Sequence, residues 1–390
     1  MKKIVAIGLY VPGTGFTRVL QSIFNHLKSK YDIHWIGIGY SGAILDFGYK
    51  IYPNNVNGGD AFGAYFARDL SSKIKADSIL VLNDFWVLKN YRSVFDQLKA
   101  NITKIAYVPL DGEIENADAI KSISIFDKVV LYSKFAYAET KKALRQLRKH
   151  SNPFDSPELF IIPHGIDIGS FYPVDHSIAK KICFQNIPYA DKCLYILNAN
   201  RPVERKGLHL TIKAFASLLK QVKEEVYLVL HQAGIQSKES QACCDLIEDL
   251  GIGKKVILNP LGSLKYASNA DLNILYNACD IGVNSSYGEG WGLISFEHAA
   301  TGIPQIVPDH TSCSELWKNN ALLTKVDRKV KFDTNPFIMS EVNVEHLTEN
   351  MLDLVQDHEL RNRLGQAGLR HTKKKKHQWS VIADQWSKIL

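Results

Sequence analysis

Two glutamates set around a glycine turn carry the densest chemistry of this sequence. They lie in Gly288-Glu289-Gly290-Trp291-Gly292-Leu293-Ile294-Ser295-Phe296-Glu297, with Gly302-Ile303-Pro304 shortly after. Glycine lets a backbone approach a ligand closely, and the free N–H groups and dipole of a helix start favour an anion such as a diphosphate. Glu289 and Glu297 then take hydroxyl groups. On a single helix they would stand about 12 Å apart along the axis, too far for one metal ion or a shared proton. Two separate carboxylates flanking an anion site suit a ligand with hydroxyls on both sides of a phosphate, as in a nucleotide sugar. The competing reading is a plain turn with one capping and one exposed glutamate. The strand expected at 280–284, the glycines and the Gly-x-Pro ending weigh against it.

A second segment, Asn198-Ala199-Asn200-Arg201-Pro202-Val203-Glu204-Arg205-Lys206-Gly207, follows another expected strand. Ligands of open parallel sheets bind beyond the carboxyl ends of strands. Arg201 and Lys206 can converge there on a phosphate, the arginine by a forked pair of hydrogen bonds and the lysine as a point charge. An exposed basic loop is the alternative. A third glycine turn, Leu9-Tyr10-Val11-Pro12-Gly13-Thr14-Gly15-Phe16-Thr17-Arg18, departs from a dinucleotide fingerprint. Arg18 holds the third glycine position, and no acidic residue closes the second strand at Gly37-Ile38-Gly39-Tyr40. Gly15 is still placed to approach a phosphate or sugar, or to serve a plain strand-to-helix turn.

The elements needed to position these groups are legible as alternation of short β-branched runs with helical patterns, the sign of parallel sheets wrapped by helices. One series of strands is expected at 4–8, 33–38, 78–82, 104–108, 128–132 and 159–162, and a second at 194–199, 226–231, 255–258, 280–284, 305–307 and 321–323. The turn-rich Pro163-His164-Gly165-Ile166-Asp167 and Phe171-Tyr172-Pro173 put a domain boundary near residue 174. Leu208, Ile212, Phe215, Leu219 and Val222 form one helical stripe; Trp379, Ile382, Ala383, Trp386 and Ile389 form a last one that needs a partner surface.

With 390 residues the chain exceeds one ordinary core, and 46% hydrophobic with 22% charged residues is the balance of a folded enzyme. No run approaches the ~20 apolar residues that span a bilayer. The six cysteines form no metal-like spacing, so reduced thiols in a cytoplasmic protein are the simplest account. The net charge of +7 is concentrated at Lys141, Lys142, Arg145, Arg148 and Lys149 and at residues 373–376. A solvated helix face competes with peripheral contact with an anionic membrane. Nucleic acid is not expected, because no aromatics interleave with these cations.

The Arg-x4-Lys-Gly loop at Arg201 and Lys206, the Glu-Gly-x-Gly-Leu-x3-Glu segment and the Pro-His-Gly-Ile-Asp linker resemble the GT-B glycosyltransferases of family 4 over essentially the full chain. The resemblance implies an α/β architecture of two Rossmann-like doubly wound domains across a cleft, 1–173 plus 378–390 on the acceptor side and 174–377 on the donor side. It implies metal-independent transfer of a sugar with retention of configuration. By it, Arg201 and Lys206 hold the donor diphosphate, Glu289 binds donor-sugar hydroxyls, and Glu297 holds the ribose. The backbone of Gly290, Trp291, Gly292 and Leu293 touches sugar and phosphate, and Gly15 approaches the donor phosphate or the acceptor.

Many relatives carry a histidine after the fourth strand of the first domain. Here Ile105-Ala106-Tyr107-Val108-Pro109-Leu110-Asp111-Gly112-Glu113 has none. Asp111 is the candidate for the sugar-facing position, with Asp84 second; a turn-forming aspartate is the competing account of each. Asp111 and Glu289 are thus the candidate catalytic pair, while His164 reads as structural and Ser133 and Lys134 as a helix start. The expected activity is transfer of a hexose from a UDP- or GDP-linked donor to a glycan, lipid-linked or small-molecule acceptor, with no cofactor. An epimerase or phosphorylase of the same fold, or an inactive nucleotide-sugar binder, are the alternatives.

Overall fold

The protein is described by a computed structural model that covers residues 1–99, 101–150, 156–231, 237–262, 267–333 and 335–390. The chain divides into two compact units. The first is Met1–Gly165 with Phe332–Ile338 and Lys376–Leu390, and the second is Ile166–Lys331 with Met339–Lys375.

The first unit holds β1 (Lys2–Leu9), β2 (Tyr31–Ile38), β3 (Leu45–Asp46), β4 (Lys50–Pro53), β5 (Ser78–Leu82), β6 (Thr103–Val108), β7 (Lys128–Leu131) and β8 (Glu158–Ile161). They form one sheet in the order β3-β4-β2-β1-β5-β6-β7-β8, parallel throughout except for the β3–β4 pair. All five residues of β5, Ser-Ile-Leu-Val-Leu, are buried, as expected where helices cover both faces of a parallel sheet. The second unit holds β9 (Leu194–Asn198), β10 (Val226–Leu230), β11 (Val256–Leu258), β12 (Ile281–Val283), β13 (Gln305–Pro308) and β14 (Leu322–Thr324), all parallel in the order β11-β10-β9-β12-β13-β14. A further two-stranded sheet pairs β15 (Val326–Lys331) with β16 (Ile338–Val342).

Every strand expected from the alternating pattern is present, within a residue or two at its ends. In each sheet the chain winds outward on one side and then restarts beside its first strand. The order therefore reverses between β1 and β5 and again between β9 and β12. Such switch points open a crevice beyond the carboxyl ends of the strands.

The stripe from Leu208 forms a helix Leu208–Leu218, with Leu219 as its cap, so Val222 falls beyond it. The last stripe forms the helix Trp379–Trp386, and within the first unit it is fixed both by rings and by donors. Trp386 meets Tyr107 edge to face at 4.8 Å; Lys128 Nζ donates to Ile389 O at 2.7 Å, and Tyr31 Oη to Ser387 O at 3.2 Å. Those donors satisfy carbonyls that a helix end leaves unpaired. Emptying the fully buried Trp386 site would cost about 3–5 kcal/mol.

The helix Lys134–His150 turns Ala136, Thr140, Ala143, Leu144 and Leu147 inward and leaves Lys141, Lys142, Arg145, Arg148 and Lys149 exposed. Among the described residues no helix is long and apolar enough to cross a membrane. The six cysteines, all among the described residues, form no disulfide.

Candidate functional site

β9 and β12 lie side by side, with Ile196 opposite Ile281 and Leu197 opposite Gly282. Their exit loops therefore leave from one edge of the sheet. The loop after β9 passes through a short 3-10 turn, Glu204–Lys206, and reaches Gly207 in the left-handed region at φ +59°. The loop after β12, residues 284–292, leads into the helix Leu293–Ala299. Buried hydroxyls and amides staple the two loops. Asn198 Nδ2 donates to Thr211 Oγ1 at 2.9 Å, Thr211 and Ser285 hydroxyls meet at 2.7 Å, and Ser285 Oγ donates to Gly207 O at 2.8 Å. Tyr287 N–H closes on Arg205 O at 2.8 Å. A side chain at Gly207 would collide with the Ser285 carbonyl, which explains glycine there.

These staples bring Lys206 and Glu289 together. Lys206 Nζ lies 2.5 Å from Glu289 Oε1, which also accepts from Ser286 Oγ at 3.0 Å and Asn284 Nδ2 at 3.2 Å. Arg205 Nη1 donates to Gly288 O at 2.5 Å and stands 4.0 Å from Glu289 Oε2. Burial acts to raise the Glu289 pKa. The charges of Lys206 and then Arg205, with hydrogen bonds from Lys206 and Asn284, outweigh it and hold the carboxyl at about 2. A carboxylate that stays ionised while only 5% exposed can accept hydroxyls of a polyol without first losing a proton. Arg201 lies exposed on the same loop. Spacing along the chain does not single out Arg205, because only the turn geometry decides which arginine of Arg201 and Arg205 turns toward Glu289.

Glu297 occupies the first helical turns after the loop. It is 3% exposed and accepts from Tyr276 Oη at 3.2 Å. Tyr276 in turn stacks on His298 at 5.1 Å, and burial lowers the His298 pKa to about 3, so this ring is neutral near pH 7. Gly290 is buried; Trp291 is buried and stacks on Phe296 at 5.0 Å, which fixes the chain between the turn and the helix. Gly292 and Leu293 are half-buried at the helix start. That helix has only seven residues, so the cations rather than its dipole dominate the positive side of the site.

Two residues that the sequence gives no reason to select, His310 and Thr311, grip the same loop from beyond β13. His310 Nε2 lies 3.0 Å from Ser286 O, and Thr311 Oγ1 lies 3.1 Å from Glu289 O. Thr311 has φ +48°, where a β-branched residue carries about 1–3 kcal/mol of strain. Positive φ at a non-glycine residue leaves no mark in a sequence.

In the first unit, Gly15 is exposed and opens the helix Gly15–Leu27 after β1. The preceding turn is held by Thr17, whose Oγ1 donates to Leu9 O and accepts from Val11 N, both at 2.9 Å. Asp84 follows β5, at the switch point beside β1, and Asp111 follows β6 one strand further on; both are half-buried. Their charges reach the buried Tyr132 at the end of β7. Burial first, then Tyr107, Asp84 and Asp111, push its hydroxyl pKa well above 10. Ser133 Oγ accepts from Ala136 N at 3.2 Å at the helix start, and His164 is enclosed by Tyr107, Tyr132 and Trp379, its pKa drawn by burial down to about 3.

Comparison with known proteins bears on both units. Residues 180–371 match the family described as glycosyl transferases group 1. Mannosylfructose-phosphate synthase of Agrobacterium fabrum is 24% identical over 231 residues, which cover 58% of this chain and 46% of that protein. An uncharacterized glycosyltransferase of Methanocaldococcus jannaschii is 22% identical over 72% of this chain and 75% of its own. The matched stretch thus spans about half the length of the first of these relatives. Among solved structures, sucrose-phosphate synthase of Thermosynechococcus elongatus has a TM-score of 0.75 at 15% identity, covering 100% of this chain and 98% of its own. Anabaena HepE, solved in complex with UDP and glucose, has a TM-score of 0.71 at 16% identity, covering 100% and 99%. Sheet order, switch-point loops and these matches agree: the chain has the GT-B fold, and its residues 180–371 carry the domain of the glycosyl transferases group 1.

Proposed function

We propose that this protein is a retaining glycosyltransferase that moves a hexose from a UDP- or GDP-linked donor to a glycan, lipid-linked or small-molecule acceptor. The observation that carries the reading is the convergence of Lys206, Arg205 and ionised Glu289 at the switch point between β9 and β12. In the reaction the bond from the anomeric carbon to the donor diphosphate breaks, and its electron pair leaves with the nucleoside diphosphate. An acceptor hydroxyl oxygen forms the new bond on the same face and gives up its proton.

Negative charge grows on the leaving diphosphate, so cations fixed beforehand stabilise the transition state more than the bound donor. Lys206, Arg205 and Arg201 are assigned that task in place of a metal ion. Glu289 takes sugar hydroxyls, Glu297 the ribose, and the backbone of Gly290, Trp291, Gly292 and Leu293 the sugar and phosphate. Gly15 and Asp111 are assigned to the acceptor and the donor sugar. Relatives named for forming or using sugar and inositol phosphates support a small hydroxylated acceptor. Peripheral contact with an anionic membrane is assigned to the exposed cations of the helix Lys134–His150.

The test pairs binding with turnover. A thermal-shift panel of nucleotide sugars identifies the donor, since a ligand of the native state raises its apparent stability. Transfer is then followed with the wild type, Lys206→Ala and Glu297→Ala. The expected result is loss of transfer in both variants with the fold retained, an α-linked product from an α-linked donor, and no effect of EDTA. Near-normal transfer in both variants would overturn the assignment.

A further inference from the structure

Loop 284–289 is held at Ser286 and at Glu289 by two consecutive residues that belong to neither of its flanking elements. His310 Nε2 faces Ser286 O at 3.0 Å, and a carbonyl only accepts, so the imidazole carries its proton on Nε2. Burial keeps the ring neutral near pH 7, its pKa falling to about 4, and Nδ1 is then an acceptor 3.2 Å from Thr311 Oγ1. The Thr311 hydroxyl accepts from Glu289 N–H at 3.4 Å and shares its single proton between Glu289 O at 3.1 Å and His310 Nδ1.

Threonine makes these bonds at φ +48°, a conformation that glycine adopts at ease and a β-branched residue does not. Backbone strain of this kind persists where surrounding interactions over-determine it. Here those interactions end on the residue whose carboxylate meets Lys206. Ser286, held through its carbonyl by His310, donates its own hydroxyl to Glu289 Oε1 at 3.0 Å. The two grips therefore fix both the backbone of Glu289 and one of the donors to its side chain.

We propose that Thr311, backed by His310, is the positioning residue for Glu289, setting the backbone from which its carboxylate reaches Lys206 and a donor sugar. The consequence for transfer rests on the glycosyl-transfer reading above; the positioning itself does not. Removing the hydroxyl frees the Glu289 amide and carbonyl together, while the loop keeps its staples through Ser285 and Tyr287.

Thr311→Gly relieves the left-handed strain and removes the grip at once, so it tests positioning without requiring the strained residue to fold. Amide hydrogen exchange across residues 284–292 is expected to rise by about tenfold in this variant, the size of one lost hydrogen bond. The melting temperature is expected to stay level or rise. The rate at saturating UDP-glucose or GDP-mannose, whichever the wild type uses, falls by about tenfold. Thr311→Ser keeps the hydroxyl and restores both exchange and rate. Unchanged exchange in Thr311→Gly overturns the proposal, as does faster exchange with an unchanged rate. Equal loss of melting temperature in the glycine and serine variants with no change in rate would mark Thr311 as structural only and overturn it too. If the wild type transfers from neither donor, the functional reading fails, and the exchange comparison still decides whether Thr311 holds Glu289.

Discussion

Lys206 Nζ stands 2.5 Å from Glu289 Oε1, an ion pair whose members are 83 residues apart and meet because β9 and β12 are neighbours. Side-chain exposures of 12% and 7% remove most of the solvent that weakens surface pairs. Such a pair is weak evidence of net stability, because desolvating both charges offsets much of their attraction. What it supplies is location: one cation and one carboxylate held at the mouth of the switch point.

Removing one partner is a different matter. Lys206→Met leaves Glu289 buried without its nearest cation, an event that costs about 3–5 kcal/mol in general. Arg205 remains 4.0 Å away and the Ser286 and Asn284 donors persist, so the expected loss is near the lower end, about 3 kcal/mol. Adding Glu289→Gln to Lys206→Met removes the stranded charge and should recover most of it. Urea unfolding of the single and double variants measures both steps; an unshifted midpoint in Lys206→Met would contradict the buried pairing.

Acid should unsettle the protein well above the range where Glu289 titrates. Burial lowers His164 and His298 to about 3 and His231 and His310 to about 4, from an ordinary 6.5. Each folded pKa lies below its unfolded value, so the unfolded chain binds the proton more readily. The contribution to stability is whole above pH ~6.5 and is lost as the pH falls through the folded pKa. Glu289, held at about 2, loses its contribution only below its unfolded value near 4.5. Stability measured from pH 7.5 to 4.5 should therefore decline mainly through the histidines. His310→Gln should flatten that slope even though it also loses the bond to Ser286 O. An identical slope would show that His310 is not held neutral.

Much of this was legible in the residues, and the exceptions have physical causes. Strands such as Ser78–Leu82 and Leu194–Asn198 stand out because parallel strands buried on both faces read as short apolar runs between turn formers. The strand Val326–Lys331, Val-Asp-Arg-Lys-Val-Lys, is mostly exposed and carries four charges, so no apolar run announces it. The two-residue strand Leu45–Asp46 is too short for any period to show. Lys206 and Glu289 stood out as charges beside glycine turns. Arg205, Asn284, Ser286, His310 and Thr311 are ordinary polar residues until tertiary contacts carry them to Glu289, so spacing along the chain has nothing to mark them by.

The proposed membrane contact falls on a helix face whose cations are not equally free. Arg148 Nε donates to Ser156 Oγ at 2.8 Å, and Lys142 Nζ lies 3.6 Å from Glu139. Lys141, Arg145 and Lys149 then carry the attraction, about 1 kcal/mol each close to an anionic surface. Sedimentation with phosphatidylserine-containing vesicles is expected to retain the protein at low salt, and pure phosphatidylcholine vesicles are not. Replacing those three residues with glutamate should abolish retention. Equal retention by both vesicle types, or none by either, would leave these cations as a solvated face.

Gly207 offers the sharpest test of how the two site loops are joined. An alanine there meets two separate penalties: a left-handed φ of +59°, about 1–2 kcal/mol, and a collision of its Cβ with the Ser285 carbonyl. Gly251, also in the second unit, has φ +66° and open space around the same added atom, so Gly251→Ala carries the first penalty alone. Gly207→Ala should accordingly lower the melting temperature more than Gly251→Ala. The excess must be relieved by moving Ser285, whose hydroxyl donates to Gly207 O and whose chain leads into Ser286 and Glu289. Donor affinity should therefore weaken in Gly207→Ala and remain at the wild-type level in Gly251→Ala. Equal thermal losses with unchanged donor affinity would mean that the loops part freely, and that the closeness of Lys206 to Glu289 does not depend on the Gly207–Ser285 contact.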